Sequence, residues 1–227
     1  MKIEIGESLM RSWLRHVKGC QFAELNWRPC GNWEQHHESQ PFMDKARGYF
    51  RLSLGQDIFG GTKKASQLVK QGEIDVLGVK LDGSGVIERL YGVDVAFHEA
   101  GLGYLDPKET TKRVTKKFIR SIMVVQTYFG PVPSEFVFAS PKVGGSFLEP
   151  LQTGITKIKQ FLLDEGIACE VTLLVNDAFR KEVLIPTLQR SSATADSSEL
   201  FIRSYRLWRL FDDSKRTAQV GAEQQNP

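Results

Sequence analysis

The sequence has few cysteines, and none of them is arranged as a cross-link or a metal site requires. Only three occur among 227 residues, at Cys20, Cys30 and Cys169. An odd number at wide spacing argues against a disulfide framework, and the lack of a CxxC pair argues against a cysteine zinc site. A chain of this length buries a sizeable core without cross-links, so we expect a reduced, cytoplasmic protein.

Long apolar runs are also missing. No stretch reaches the roughly 18 apolar residues that a membrane-spanning helix needs. The first residues, MKIEIGESLMRSW, carry charges and lack the apolar core of a signal peptide. Together these two features predict a soluble protein that does not act in a membrane.

A strong excess of charge of either sign is absent as well. The chain has 30 basic and 27 acidic residues, a formal net charge of +3, which is too small to identify a partner. Hydrophobic residues make up 41% and charged residues 25% of the chain, which indicates a globular protein rather than a disordered chain or a coiled coil. We expect one domain over residues 1–212 and a disordered tail over residues 213–227, which contain no aromatic residue.

Hydrophobic periodicity predicts a mixed central sheet flanked by helices, an α/β fold or, by a stricter label, α+β. The predicted strands cover residues 21–27, 74–81, a segment within 86–98, 136–140 and 168–175. The predicted helices cover residues 6–18, 62–70, 107–129, 147–163, 178–189 and 198–211. We interpret the less regular region of about 28–72 as an insertion after the first strand, and about 178–212 as additional C-terminal helices.

Each of two strongly apolar strands contains one aspartate: Asp75 in IDVLGVKL and Asp94 in YGVDVAF. Runs that are apolar on both faces indicate central strands, where a lone buried carboxylate is energetically expensive. If the two strands form a hairpin, both carboxylates lie near one edge of the sheet, and such oxygen ligands suit Mg²⁺ or Mn²⁺. The alternative is that each aspartate pairs with a neighbouring arginine or caps a backbone group.

The order of elements and acidic residues resembles the PD-(D/E)xK nuclease superfamily, which has a restriction-endonuclease-like α-β-β-β-α-β core. The resemblance covers about residues 6–140. Glu7 in GES, Asp75 in EIDVLG and Asp94 in VDVAF match the acidic positions of the first helix and of the second and third strands. The resemblance implies that Asp75 and Asp94 hold Mg²⁺ or Mn²⁺, with Glu7 as an outer or second-metal ligand.

One position departs from the family. Ala96 stands where the family has a lysine two residues after the third-strand acid, and that lysine polarises the scissile phosphate or positions the attacking water. Either the lysine has moved to the following helix, as in parts of the superfamily, or the site binds without cutting. On a helical wheel Lys117 borders the apolar face and Lys116 points further away. We therefore prefer Lys117 as the displaced lysine, with Lys116 as the second choice; the alternative is that both lysines are solvated.

His98 and Glu99 offer a different substitute for the missing lysine. His98 lies four residues beyond Asp94, which predicts a shared strand face, and an ordinary pKa of about 6.5 suits a proton carrier. Glu99 would be an outer metal ligand at the strand end. A hydrogen-bonded histidine at the end of a strand is the alternative interpretation of His98.

Basic residues concentrate on the helix predicted over 107–129. The candidates for nucleic-acid contact are Lys112, Arg113, Lys116, Lys117 and Arg120. A basic strip beside carboxylates suits a phosphate backbone, so DNA is the expected partner and RNA the alternative; a solvated helix face is the rival interpretation. The last helix combines arginines with Tyr205 and Trp208, which suits base stacking, but its apolar residues equally suit a homodimer interface.

Two functions from different classes are compatible with these residues. The first is a metal-dependent nucleic-acid phosphodiesterase, a DNA endonuclease in which Lys117 or His98 orients the water or offsets developing charge. The second is a catalytically degenerate protein of the same fold that binds nucleic acid or assembles with other proteins. The three matching acids favour the enzyme, whereas Ala96 favours the second function.

Overall fold

The computed structural model describes residues 4–104, 106–191 and 198–211. The five strands are β1 Phe22–Trp27, β2 Ile74–Leu81, β3 Ile87–Val95, β4 Ser134–Ser140 and β5 Cys169–Val175. The α-helices are α1 Ile5–His16, α2 Gln40–Leu54, α3 Ala65–Lys70, α4 Pro107–Phe129, α5 Gly145–Asp164, α6 Asn176–Phe179, α7 Ile185–Ser191 and α8 Leu200–Arg209, with a π-helical segment, Arg180–Leu184, between α6 and α7. The tail predicted to be disordered, residues 213–227, lies outside the described residues.

The strands form one mixed sheet in the order β1-β2-β3-β4-β5. The pairs β1–β2 and β2–β3 are antiparallel, and β3–β4 and β4–β5 are parallel. The prediction of a mixed sheet flanked by helices is therefore confirmed. The two aspartate-bearing strands are antiparallel neighbours inside the sheet, as the hairpin interpretation requires.

Helices cover both faces of the sheet, and strand alternation decides which residues each face presents. Val76 and Val93 pack with Leu14 of α1 on one face. Leu77 and Leu90, at odd spacing from those valines, pack in the larger core on the face covered by α4 and α5. Because successive side chains alternate between faces, Asp75 and Asp94 belong to the face that α4 covers.

Helix α4 has clear signals at both ends. The Asp106 side chain accepts a hydrogen bond of 2.7 Å from the backbone N–H of Glu109, which satisfies one free donor of the first turn. Pro107 occupies the first turn, where its missing N–H costs nothing. The helix ends before Gly130, whose φ of 73° lies in the region that favours glycine. These signals explain why the predicted and observed bounds of α4 coincide.

The region 28–72 is more ordered than the sequence predicts. It contains α2, which the sequence analysis missed, as well as the short helix α3. Met43, Ala46 and Phe50 of α2 are buried in the main core, and Phe50 contacts the ring of Phe161 in α5 at a centroid distance of 5.6 Å. The region is therefore part of the core on the α4–α5 face, at least from residue 40 onwards.

The C-terminal helices also differ from the prediction. The helix expected over 178–189 starts at Asn176, contains the π-helical segment and continues to Ser191. Asn176 has a φ of 54°, and its side-chain amide exchanges hydrogen bonds with the backbone of Val143. This pairing joins residues 33 positions apart in the chain, so the early start depends on a tertiary contact that helical periodicity does not reveal. Throughout the described ranges, every helix is too short or too polar to cross a lipid bilayer.

Gly92 lets β3 pass beneath a buried ring of the next strand. A Cβ atom at this position would lie 2.7 Å from Cδ1 and 2.9 Å from Cε1 of Phe136, which is fully buried. We expect Gly92→Ala to lower the free energy of unfolding by about 1–3 kcal/mol, because the core must shift to admit the methyl group. Urea denaturation followed by circular dichroism measures the change.

Gly83→Ala is the matched control, because a Cβ at Gly83 meets nothing within 4 Å. Its effect should stay below about 0.5 kcal/mol. Equal stability of the two variants would contradict the close packing of β3 against Phe136.

Candidate functional site

Asp75 and Asp94 meet at the same end of the two central strands. Val76 pairs with Val93, and the next position of this antiparallel register brings Asp75 opposite Asp94. The backbone N–H of Val95 donates a hydrogen bond of 2.7 Å to Oδ2 of Asp75. The first carboxylate is thereby tied to the strand that carries the second.

Lys117 of α4 bridges the two carboxylates. Its Nζ lies 3.3 Å from Oδ2 of Asp75 and 3.1 Å from Oδ1 of Asp94. The lysine side chain is 29% exposed, whereas the aspartate side chains are 15% and 5% exposed. Lys116, the second choice of the sequence analysis, forms no ion pair with any residue that the structure describes. The structure thus brings Lys117, and not Lys116, to the aspartates.

Two further side chains of α4 face Asp94. Ser121 donates a hydrogen bond of 3.0 Å from Oγ to Oδ2 of Asp94. Arg120 lies 3.9 Å from Oδ1 of Asp94 through Nη2, which also donates a 2.9 Å hydrogen bond to the carbonyl of Glu73. Spacings of three and four residues from Lys117 place these groups on one side of the helix. The sequence analysis assigned no role to Ser121, although a serine within a helix whose neighbouring residues are mostly apolar was an available signal.

Oδ1 of Asp94 is short of hydrogen bonds. Asp94 is 3% exposed, and this oxygen accepts no well-aligned hydrogen bond from the described residues. The Lys117 ammonium lies 3.1 Å from this oxygen and supplies its counter-charge. Buried polar atoms are usually satisfied, so this oxygen has capacity for a further donor or a cation.

The electrostatics of the site reflect two acids that share one close ammonium. Burial raises the pKa of Asp75, and the Asp94 carboxylate raises it further; together these outweigh the attraction of Lys117. Burial alone would lower the pKa of Lys117, but its attraction to Asp94 and Asp75 is larger, so the pKa lies above its ordinary value of 10.5. Lys117 is therefore charged at neutral pH, and a proton on Asp75 is easier to retain than on an exposed aspartate.

Glu7 approaches the aspartates from α1. Asn26 of β1 donates a hydrogen bond of 3.2 Å to Oε2 of Glu7, and the register of Leu25 with Val76 brings Asn26 opposite Asp75. Burial raises the pKa of Glu7; the Asn26 bond opposes this rise, and the charge of Asp75 adds to it. Glu7 is thus within electrostatic range of Asp75.

The backbone of Asn26 is unusual for a strand residue. Its φ of 51° lies in the left-handed region, which asparagine tolerates better than most residues other than glycine. A local bend of this kind turns the side chain away from the position that regular strand geometry would give it. The sequence analysis assigned no role to Asn26, and an asparagine inside an apolar strand was the only signal.

A divalent cation suits part of this donor set. The orphaned Oδ1 of Asp94 and the neighbouring oxygen of Asp75 are hard ligands of the type that Mg²⁺ and Mn²⁺ prefer. Within the described ranges, however, no three acidic, histidine or cysteine side chains already converge as a metal cluster. These donors fit a cation site in which the two aspartates are the protein ligands and water fills the remaining coordination positions, with Glu7 outside the ligand shell.

His98 and Glu99 do not join the aspartates. β3 ends at Val95, and both residues are exposed beyond its end. The expectation that His98 shares a strand face with Asp94 is wrong. It assumed that side chains alternate along the strand as far as His98, but the strand ends three residues before it, at Val95. Glu99 contacts Lys142 through its backbone carbonyl, which accepts a hydrogen bond of 3.3 Å.

The basic residues of α4 divide into two groups. Lys117 and Arg120 contact the aspartate site. Arg113 instead pairs with Glu109 at 2.8 Å, and its guanidinium lies over the ring of Tyr104, 4.5 Å from the centroid. Lys112 also lies 3.6 Å from Glu109. The strip is therefore less cationic at its N-terminal end than the sequence alone suggests.

A cleft of about 570 Å³ lies at the opposite end of the sheet, near the first residues of β4 and β5. Its lining includes Arg89 and Ser134, but Arg89 is paired with Glu170 at 3.0 Å. Size does not single this cleft out, because a second cleft between α5 and β5 has a volume of about 590 Å³. The aspartate site has the stronger claim, because it combines convergent acids, an ammonium and shifted pKa values.

Replacing Lys117 tests the charge balance of the site. Lys117→Met leaves two buried carboxylates facing each other. Breaking a buried ion pair lowers the free energy of unfolding by ~3–5 kcal/mol. Because the lysine is partly exposed, we expect a smaller loss of about 1–3 kcal/mol at pH 8. The loss should be smaller at pH 5, because Asp75, with its raised pKa, takes up a proton more readily and removes one of the repelling charges.

Urea denaturation at the two pH values measures this effect. Lys116→Met is the control, since it removes the same charge from the neighbouring position of α4 without touching an acid. Equal losses in the two variants, or a loss in Lys117→Met that does not depend on pH, would contradict the bridging role.

Comparison of the chain with protein-family models, with curated proteins and with solved structures finds no match. The contacts of the aspartate site and the order of its supporting elements therefore carry the functional conclusion.

Proposed function

We propose that this protein is a metal-dependent nucleic-acid phosphodiesterase of the PD-(D/E)xK kind, acting as a DNA endonuclease. The observation that carries the proposal is the convergence of Asp75, Asp94 and Lys117 at one end of two paired strands. Two acids that can hold a metal ion, beside a basic group that can contact a phosphate, suit metal-dependent phosphodiester hydrolysis.

The order of the elements supports a restriction-endonuclease-like fold. Without the inserted α2 and α3, the chain runs α1-β1-β2-β3-α4-β4, which is the order of that core. Within it, Glu7 comes from the first helix, Asp75 from the second strand and Asp94 from the third. The acids thus stand on the elements from which the family supplies its own.

Asp75 and Asp94 would hold the metal ion. A bound Mg²⁺ or Mn²⁺ supplies a water of lowered pKa and stabilises negative charge on the phosphate. Ser121 fixes the orientation of Asp94 by its hydrogen bond to Oδ2, so that Oδ1, the oxygen that Lys117 contacts, would serve as the ligand. Glu7, held by Asn26, would contact an outer water.

Lys117 would take the role that the family gives to a lysine on the third strand. Its ammonium, on a flexible stem that rises from α4, can donate to a phosphate oxygen beside the aspartates. Arg120 adds a second positive charge 3.9 Å from Asp94. Both groups would offset the charge that develops on the phosphate in the transition state.

A nucleic-acid-binding or assembly protein with an inactive site is the second candidate function. It is favoured by Ala96 at the family's lysine position and by the Lys117 ammonium, which already pairs with both aspartates. In such a protein the acids and the lysine would form a structural ion-pair network. The basic residues of α4 would then bind DNA, or RNA, without cutting it.

Cleavage assays separate the two candidates. Plasmid and single-stranded DNA are incubated with wild-type protein and Mg²⁺, Mn²⁺ or EDTA, and we expect cutting with either metal but none with EDTA. Asp94→Asn should abolish cutting while DNA binding stays equal or becomes tighter, because it removes a metal ligand and a negative charge near the phosphates. Lys117→Ala should slow cutting by about 10²–10³-fold, the usual cost of losing one charge-stabilising donor.

At saturating DNA, where weaker binding does not limit the rate, Lys116→Ala should cut at nearly the wild-type rate, since Lys116 forms no ion pair with either acid. Loss of cutting in His98→Ala together with normal cutting in Lys117→Ala would assign the basic role to the histidine. Failure of the wild type to cut DNA or RNA with any metal would refute the enzyme and leave the binding function.

The salt dependence of binding tests the basic residues of α4 under either function. Lys116→Ala should flatten the slope of log K against log salt concentration by about one unit if Lys116 contacts a phosphate. Lys45→Ala is the control, because Lys45 pairs with Glu165 at the opposite end of the sheet. Fluorescence anisotropy with labelled DNA measures both slopes, and identical slopes for the two variants would show that Lys116 contacts no phosphate.

A further inference from the structure

Lys117 fills the space between the two acids. Its Nζ is 3.3 Å from Oδ2 of Asp75 and 3.1 Å from Oδ1 of Asp94. A Mg²⁺ ion that used the same two oxygens would sit about 2.1 Å from each of them. The ammonium and the ion would therefore occupy overlapping positions and would repel each other as like charges.

The neighbouring groups do not compete for this space in the same way. Arg120 stays 3.9 Å from Asp94, and its Nη2 donates to the carbonyl of Glu73. Ser121 donates to Oδ2 of Asp94, the oxygen that Lys117 does not bridge. Asp94 consequently keeps an anchor when Lys117 leaves, and Lys117 is the group that must move.

Lys117 is also able to move. Its side chain is 29% exposed, so a path to solvent exists, and its four-carbon stem rotates freely. Asp75 keeps the hydrogen bond from the backbone of Val95 in the absence of the lysine. Both carboxylates thus remain positioned when the ammonium swings out.

We propose that Lys117 is a resident counter-cation that a divalent metal ion displaces when it binds to Asp75 and Asp94. The inference rests on the metal site of the proposed function and adds its regulation. Metal entry releases an ammonium beside the bound ion, where a phosphate group can use it. Without metal, the same ammonium is held by the acids and is withheld from the substrate.

Direct measurement of Mn²⁺ binding tests the displacement. The fraction of free Mn²⁺ is followed by electron paramagnetic resonance during titration of the full chain, without nucleic acid. Lys117→Met should bind Mn²⁺ about tenfold more tightly than the wild type, because the ion no longer competes with a positive charge. Lys116→Met, with the same change in net charge, should stay within about twofold of the wild type.

The wild-type protein provides a second readout that needs no substitution at the site. Reductive methylation of lysine amines is quantified by mass spectrometry with and without saturating Mn²⁺. Methylation of Lys117 should rise several-fold when the metal binds, because the amine leaves the acids for solvent. Methylation of Lys116 in the same sample should stay constant.

The outcomes distinguish this inference from the proposed function. Equal Mn²⁺ affinity in the wild type and Lys117→Met, with unchanged methylation of Lys117, overturns displacement but leaves metal-dependent cutting possible. If Lys117→Met binds Mn²⁺ more tightly than the wild type, but the wild type cuts no nucleic acid, displacement is supported and the nuclease function is refuted. Absence of Mn²⁺ binding in both proteins overturns the metal site and displacement together.

Discussion

Two carboxylates buried on neighbouring strands require a positive charge, and Lys117 supplies it. Transfer of a charged carboxylate out of water is strongly unfavourable unless it is paired, and Asp94 is 3% exposed. The register of β2 with β3 brings Asp75 opposite Asp94. Two negative charges, rather than one, therefore have to be compensated at this point. This requirement constrains how α4 lies on the sheet, because its lysine has to reach both acids.

The rest of the core is arranged to meet that constraint. α4 packs on the sheet through residues such as Phe118 and Ile122, which are buried, and this places Lys117 and Ser121 on the edge of the same face. Phe136 lies where a side chain at Gly92 would be, two residues before Asp94. Apolar packing therefore holds α4 at the height and rotation at which its polar groups meet the acids.

Sequence patterns predicted the parts of this arrangement that depend on local signals. β2 and α4 have the expected bounds, since one is a continuous apolar run and the other starts at Asp106–Pro107 and stops at Gly130. The helical wheel selected Lys117 correctly as the lysine that faces the acids. Tertiary contacts decided the remainder: α2 is stabilised by packing on α5, and β3 stops before His98, which no local pattern reveals. The partnership of Asn26 with Glu7 depends on a backbone bend that sequence alone does not indicate.

The position of the lysine on a helix rather than a strand has a physical basis in Ala96. Ala96 is 5% exposed and packs in the main core with Val114 and Phe118 of α4, so a lysine at this position would have to bury its stem where α4 now lies. A lysine on α4 reaches the acids from the edge of that contact and keeps access to solvent. The burial of Ala96 therefore disfavours a lysine on this segment of the chain. A lysine on α4, partly exposed at 29%, is the arrangement that the proposed displacement by a metal ion needs.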